Sequence, residues 1–482
     1  MGKNRNSKDA LLLAIVKIFS LGVGTISTML LSKTLSLEIY GTYSALNLLA
    51  TSGAAISVLG LADAVNFFYN SENNVSMQKK YVNSIFAFQF IVGMITAAII
   101  IFCEPIFVEY FDNNLLKGMC IYVAFRPYLE NTIISLQNLQ VAIGKAKQIA
   151  IRNAVFSLIK VLSICYSIFY TKDITVLLFM IVFMDLLTVI YFTYTFSREK
   201  YKIQIFKCNF AILKRVLSFS IPMGVYVMSN MLMREMDKYV IGFFEPTSML
   251  AIYTNCSAVL PLDIITNSFL IVIMPIITRA INNDDYIKAQ KLFRNYLMIG
   301  IYSTVVFGIA LIIVSEEAIS LLYSKHYLIG KTVFILFLIV SMIRFANLTL
   351  VLSAKGKTKT LMIISISSLI LNFILNITLY KIVGFIGPAI STVIITLGTT
   401  FVMFSISCKI LNISPMKILD KKELLEFIFK LIITSILFCC LKDLLYNYGV
   451  HKYLVLFICA GGFSTFMLII NFTKIRENLR EV

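Results

Sequence analysis

"AKGKTKTLMIISISSLILNFILNITLYKIVGFIGPAIST" runs from Ala354 to Thr392. A basic loop opens it. An apolar run of roughly 20 residues follows, the length a helix needs to cross a bilayer. One lysine and two glycines then separate that run from the next. The same pattern recurs along all 482 residues, of which 59% are hydrophobic and 14% charged. Soluble domains carry about 25% charged residues. In lipid, every backbone amide must be satisfied within the spanning element, and a helix does this alone. The chain is therefore read as an all-α, polytopic membrane protein. Fourteen spans are expected, near 10–31, 43–68, 84–104, 116–142, 149–170, 174–196, 214–244, 249–276, 294–314, 332–354, 360–380, 384–408, 427–447 and 453–472.

The formal charge is +18. A nucleic-acid partner would want that charge on one face. Here the basic residues sit in short loops on alternate sides of the apolar runs. With the N-terminus inside, the inside segments hold 28 Lys and Arg against eight in the outside loops. The positive-inside rule then places both termini in the cytoplasm. The outside loop "CEPIFVEYFDNN" (Cys103–Asn114) is acidic, in agreement. Nucleic-acid binding is excluded, and anionic lipid is the expected partner of the basic loops.

Nine cysteines and two histidines are scattered without metal-ligand spacing, so no metal site is expected. "IGKT" (Ile329–Thr332) and "KGKT" (Lys355–Thr358) invite a phosphate-loop reading. That loop needs a glycine five residues before the Gly-Lys pair, where Lys325 and Val351 stand. "GVG" (Gly22–Gly24) lies within an apolar run and reads as a helix-packing contact. No catalytic constellation appears, so an enzyme is not expected. No cofactor is expected either, although a transporter would need H+ or Na+ coupling. The basic N-terminal segment precedes a run long enough to remain a helix, so no cleaved signal is expected.

The loops repeat. "GKAKQ" (Gly144–Gln148) and "GKTKT" (Gly356–Thr360) are 212 residues apart. "IYGTYS" (Ile39–Ser44) and "LAIYTN" (Leu250–Asn255) place Tyr43 and Tyr253 210 apart. Residues 1–196 and 214–410 are thus expected to be two six-helix repeats. A cytoplasmic connector at 197–213 would join them, with two additional helices in 411–482. Internal repeats of this kind characterise secondary transporters, whose substrate path lies between the halves. A single chain holding both repeats reads as a monomer.

Charges inside a membrane are costly, so each marks a candidate site. The bases are Lys17, Arg126, Lys160, Arg234, Lys238 and Arg344, and the acids Asp63, Glu130, Asp185, Glu235, Asp237 and Asp263. They could pair to hold helices together. Arg126 and Glu130, four apart, share one helix face. Lys160 and Asp185 lie at similar depth. Equally, they could line a water-filled cavity where cations grip an anionic head group. Pro222 and Pro261 lie in spans seven and eight and are hinge candidates, because proline removes a backbone bond.

"SFSIPMGVYVMSNMLMREMDKYVIGFF" (Ser218–Phe244), "AIYTNCSAVLPL" (Ala251–Leu262) and "VIMPIITRA" (Val272–Ala280) together resemble the polysaccharide flippase family. That family belongs to the multidrug/oligosaccharidyl-lipid/polysaccharide exporter superfamily. The shared pattern is Pro222, Asp237-Lys238, Gly242 and Tyr253, followed by the Gly-Lys-Thr loop and by Gly384, Gly387 and Ala389. "EIYGTYSALN" (Glu38–Asn47) is similar to the family's first repeat. The resemblance implies a flippase for undecaprenyl-pyrophosphate-linked oligosaccharides feeding O-antigen or capsule. It would work by alternating access in a bacterial cytoplasmic membrane, alongside a glycan polymerase and chain-length proteins. Two alternatives stay open. A lipid II flippase would want arginine-rich first helices. A cation-coupled drug exporter would want a carboxylate in the first span, where Lys17 stands.

Overall fold

The structure, a computed structural model, describes residues 2–480 apart from 172, 259–261, 263 and 347. The described residues form helices and turns, with no strand. They group into two compact units, Met1–Thr254 and Asn255–Val482.

The first unit holds α1 (Gly2–Thr34), α2 (Leu37–Ser57), α3 (Leu61–Ser71), α4 (Val75–Phe102), α5 (Glu104–Tyr110) and α6 (Cys120–Val123). It continues through α7 (Arg126–Ala142), α8 (Ala146–Tyr166), α9 (Ile174–Glu199), α10 (Phe210–Phe244) and most of α11 (Thr247–Cys256). The second unit holds α12 (Ile264–Asn282), α13 (Tyr286–Gly300), α14 (Val306–Ile313), α15 (Ser315–Leu322), α16 (Lys331–Ile343), α17 (Thr349–Ala354) and α18 (Thr358–Val383). After these come α19 (Gly387–Ile410), α20 (Pro415–Ile418), α21 (Lys421–Asn447), α22 (Lys452–Leu456), α23 (Gly462–Ile470) and α24 (Phe472–Arg480).

Among the described residues, nine helical stretches are long and apolar enough to cross a membrane, or ten if the bent pair α2–α3 is one span. One of the nine, Thr358–Ile410, contains both α18 and α19. The chain is a multi-pass membrane protein. The stretch shared by α18 and α19 accounts for part of the difference from fourteen, and breaks inside spans, which leave pieces too short to cross alone, account for another part.

Each break has a local cause. Leu59 (φ 42°) and Gly60 (φ 67°) are left-handed, and the chain turns 40° between α2 and α3. α10 fills that turn. A Cβ on Gly60 would lie 2.3 Å from the carbonyl oxygen of Ser220, and one on Gly224 would lie 2.3 Å from the carbonyl carbon of Leu59. Only glycine permits this approach at either position. Pro222 lies within α10 between these contacts, where it cannot donate to the preceding turn. Pro127 and Pro388 instead stand in the first turns of α7 and α19, where a missing N–H costs nothing. In the second unit a wide turn, Ile301–Val305, joins α13 to α14. α16 ends at Ile343, and Arg344 caps it before α17 begins.

One expectation is corrected. Gly22 and Gly24 are exposed, and a Cβ on either would have no atom within 4 Å among the described residues. The two glycines therefore make no close helix contact there, whereas Val23 between them is buried.

The core of the first unit packs Leu61, Phe68, Tyr81, Leu136, Phe192, Phe196 and Val216 from α3, α4, α7, α9 and α10. That of the second packs Ile277, Phe293, Tyr296, Leu350 and Cys408 from α12, α13, α17 and α19. The connector is non-helical between α9 and α10. It is pinned to α4, where Asn83 Oδ1 accepts from the Gln204 amide (2.9 Å) and Ser84 Oγ from the Asn209 amide (3.0 Å).

Candidate functional site

α7 presents a polar seam to the interior of the first unit. Arg126 opens it and is 8% exposed. Its guanidinium fork is split between two helices. Nη1 donates to Asn47 Oδ1 on α2 (2.8 Å), and Nη2 to Glu130 Oε1 one turn on (2.7 Å). Nε faces Asp185 Oδ2 on α9 at 3.9 Å, a charge contact beyond hydrogen-bond reach. A buried arginine is strongly destabilising unless paired, and here two carboxylates answer it. The seam continues away from Arg126. Asn131 donates to Ala54 O and Ser57 Oγ (both 3.0 Å), Ser135 to Gln89 Oε1 (3.1 Å), and Gln140 to Thr195 Oγ1 (2.8 Å).

Asp185 stands in the field of Arg126, Glu130, Lys160 and Arg152. Arg152 was not anticipated. It lies on α8, donates to Thr188 Oγ1 and to Asn153 Oδ1 (2.7 Å), and places its guanidinium 4.3 Å from the Phe156 ring centre. It follows the "GKAKQ" loop closely in sequence and is not among the intramembrane charges singled out from the sequence. The Arg-Phe spacing of four residues was the available signal, since it stacks the two side chains on one face. Asn47 carries no charge and gave no signal at all. The cluster thus holds three bases, Arg126, Arg152 and Lys160, against Glu130 and Asp185. Lys160 is exposed, while the Glu130 and Asp185 side chains are 29% and 26% exposed. One side of the cluster is therefore open.

The other candidates fall elsewhere. Asp237 is 1% exposed, and its carboxylate accepts from the Tyr253 hydroxyl (3.1 Å) and the Lys238 amide (2.9 Å). That geometry ties α10 to α11. Lys238 pairs instead with Glu235 at 2.7 Å, and Arg234 is exposed on α10. Asp63 is exposed in the first turn of α3. In the second unit Arg344 sits at the break after α16, and its Nη2 donates to Thr396 Oγ1 on α19 (3.3 Å). A charged group at a broken span is a common feature of transporter sites. Lys17 belongs to α1, with its side chain outside the described residues, as are Asp263 and Pro261 altogether. Among the described residues no group of acidic, His and Cys side chains could hold a metal ion.

A multi-helix membrane fold with broken spans and buried charged groups is an arrangement found among transporters. The described fold matches a structure of the lipid II flippase MurJ in an inward closed conformation, with a TM-score of 0.72 over 96% of this chain and 100% of that one, at 16% identity. It also matches an inward-facing multidrug resistance MATE family transporter of the MOP superfamily, with a TM-score of 0.66 over 84% of this chain and 98% of that one, at 12% identity. By sequence, a probable lipid II flippase MurJ of Rickettsia prowazekii (strain Madrid E) is 26% identical over 215 residues. That match spans 41% of this chain and 39% of the relative's length. The profile of the family described as "Polysaccharide biosynthesis protein" matches residues 30–332. The chain belongs to that family.

Proposed function

We propose that the protein is a flippase that carries undecaprenyl-pyrophosphate-linked oligosaccharide units across the bacterial cytoplasmic membrane for O-antigen or capsule assembly. The supporting observation is the partly open Arg126–Glu130–Asp185 cluster in a chain of the polysaccharide biosynthesis family. Three bases against two acids leave one positive charge to meet a diphosphate. The glycan would occupy the polar interior and the lipid tail would stay in the bilayer. In this reading residues 1–196 and 214–410 are the two repeats that rock in alternating access. Pro222 and Pro261 are hinges, both termini are cytoplasmic, and a proton or sodium gradient supplies energy. The remaining cavity candidates are Lys17, Asp63, Arg234, Asp237, Lys238, Asp263 and Arg344. A glycan polymerase and chain-length proteins would receive the product, and the flippase would act as a monomer.

A second reading, transport of lipid II, is favoured by the sequence match to the probable lipid II flippase. One experiment separates the two. The gene is deleted, lipid-linked glycans are extracted, and their membrane face is determined. Accumulation of one undecaprenyl-linked oligosaccharide on the cytoplasmic face, with surface glycan lost, supports the first reading. Accumulation of lipid II with failing cell walls supports the second. Unchanged lipid-linked glycans overturn both.

A further inference from the structure

A surface cavity of about 580 Å³ lies between the end of α3 and the start of α10, wholly within the first unit. It is remote in sequence from the Arg126 cluster and shares no residue with it. Its floor is Phe68, 4% exposed and part of the core. Its wall is a stacked pair, Phe67 and Phe219, with ring centres 4.4 Å apart. These two rings are 49% and 40% exposed. Its rim carries Lys214 and Arg215, both exposed, and among the described residues no acidic one lines it. Arg215 is held in place, donating to the Tyr81 hydroxyl at 3.0 Å.

The spacing of these parts is informative. Arg215 precedes Phe219 by one helical turn, about 6 Å along the axis. Two cations therefore stand one turn from an exposed aromatic face. Just before them, Phe206 in the connector and Phe210 at the first position of α10 are 92% and 82% exposed, beside exposed Lys200, Lys202 and Lys207. Exposed rings among lysines belong at a membrane–water interface, where rings reach the acyl boundary and ammonium groups the phosphates.

We propose that this cavity binds an anionic phospholipid, with its phosphate against Lys214 and Arg215 and an acyl chain along Phe67 and Phe219. A basic pocket between helices at headgroup level suits such a lipid. A zwitterionic lipid would bring its own cation to the same rim and gain less. The bound lipid would fix the start of α10 against α3, beside the Gly60–Gly224 contact. This inference is independent of which lipid-linked cargo is moved.

The chain contains no tryptophan, which gives a clean probe. Phe219→Trp puts a single fluorophore in the cavity, and Phe67→Trp is a second reporter should the first fail to fold. Each variant is reconstituted in vesicles mixing phosphatidylcholine with brominated phosphatidylglycerol, and in the converse mixture. Quenching then reports which lipid occupies the site. Each cation near anionic lipid is worth about fivefold in binding. Phosphatidylglycerol should outcompete phosphatidylcholine by at least that factor, and Lys214→Gln should cut the preference about fivefold. Equal quenching by the two lipids overturns the proposal. So does a preference that Lys214→Gln leaves intact. Loss of the preference in millimolar inorganic phosphate at constant ionic strength would mean a free-anion site and would overturn the lipid assignment.

Discussion

Lys442 Nζ on α21 stands 2.9 Å from the carboxylate of Glu317 on α15, a side chain only 3% exposed. The same ammonium donates to the carbonyl of Ile313 (2.9 Å), and the Tyr446 hydroxyl donates to Glu317. At its other end α21 places Glu423 against the Tyr302 hydroxyl (2.7 Å) and Arg294 (3.1 Å). α21 is thus tied at both ends to other helices of the second unit. Removing one partner of a buried pair leaves an uncompensated charge, at about 3–5 kcal/mol. Lys442→Met should therefore lower unfolding stability in detergent by about 3 kcal/mol. Adding Glu317→Gln should recover part of that loss. Circular dichroism across a denaturant series reads both. Purely additive losses would show that the two side chains do not couple.

The turn between α2 and α3 makes a sharper demand. Gly224→Ala would drive a methyl to 2.3 Å from the Leu59 backbone, which no side-chain adjustment relieves. We expect a loss of about 3 kcal/mol or more, because backbone must move on both helices. Gly24→Ala, with open space around it, should be neutral or slightly stabilising. Measuring the folded fraction by size-exclusion chromatography of fluorescent fusions compares the pair. Similar behaviour of the two variants would refute the packing account.

The all-helical membrane fold was legible because lipid imposes one signal, the long apolar run, on every span. The Arg126–Glu130 pair was legible because spacing of four on a helix brings side chains together whatever the fold. Other features had no local signature. The α2–α3 turn contains no proline, and Leu59 adopts φ 42° because α10 holds it there. Asn47 and Arg126 are 79 residues apart, and Glu317 and Lys442 are 125 apart. Such contacts depend on tertiary packing, which no window of sequence contains. Arg152 was missed for a related reason. Its neighbours in sequence are the loop lysines Lys145 and Lys147, while its neighbours in space are Thr188 and Phe192.

Accessibility tests the cavity proposal. Cys439 and Cys440 are exposed, so the native cysteines are first replaced by serine. Single cysteines at 17, 126, 234 and 344 are then treated with a membrane-impermeant thiol reagent. Water-lined positions should label, and adding the lipid-linked glycan should slow labelling several-fold. Failure to label at all four would end the cavity proposal.

Asp185 offers the most discriminating test of coupling. It contacts Arg126 only at 3.9 Å, whereas Arg126 keeps direct bonds to Asn47 and Glu130. Asp185→Asn preserves shape and leaves those bonds in place. Stability should change by no more than about 1 kcal/mol. The charge balance changes more, since three bases would face Glu130 alone. If this cluster carries the coupling proton, Asp185→Asn proteoliposomes should flip a fluorescent undecaprenyl-pyrophosphate glycan at equal rates with and without a proton gradient. Wild-type vesicles should accelerate with it. Arg126→Lys provides the complement. An ammonium cannot serve both Asn47 and Glu130 with the planar fork of guanidinium, so charge stays and geometry is lost. That variant should retain gradient dependence while its rate falls about tenfold, the equivalent of one lost charged hydrogen bond. A gradient response unchanged in Asp185→Asn would move the coupling site away from this cluster.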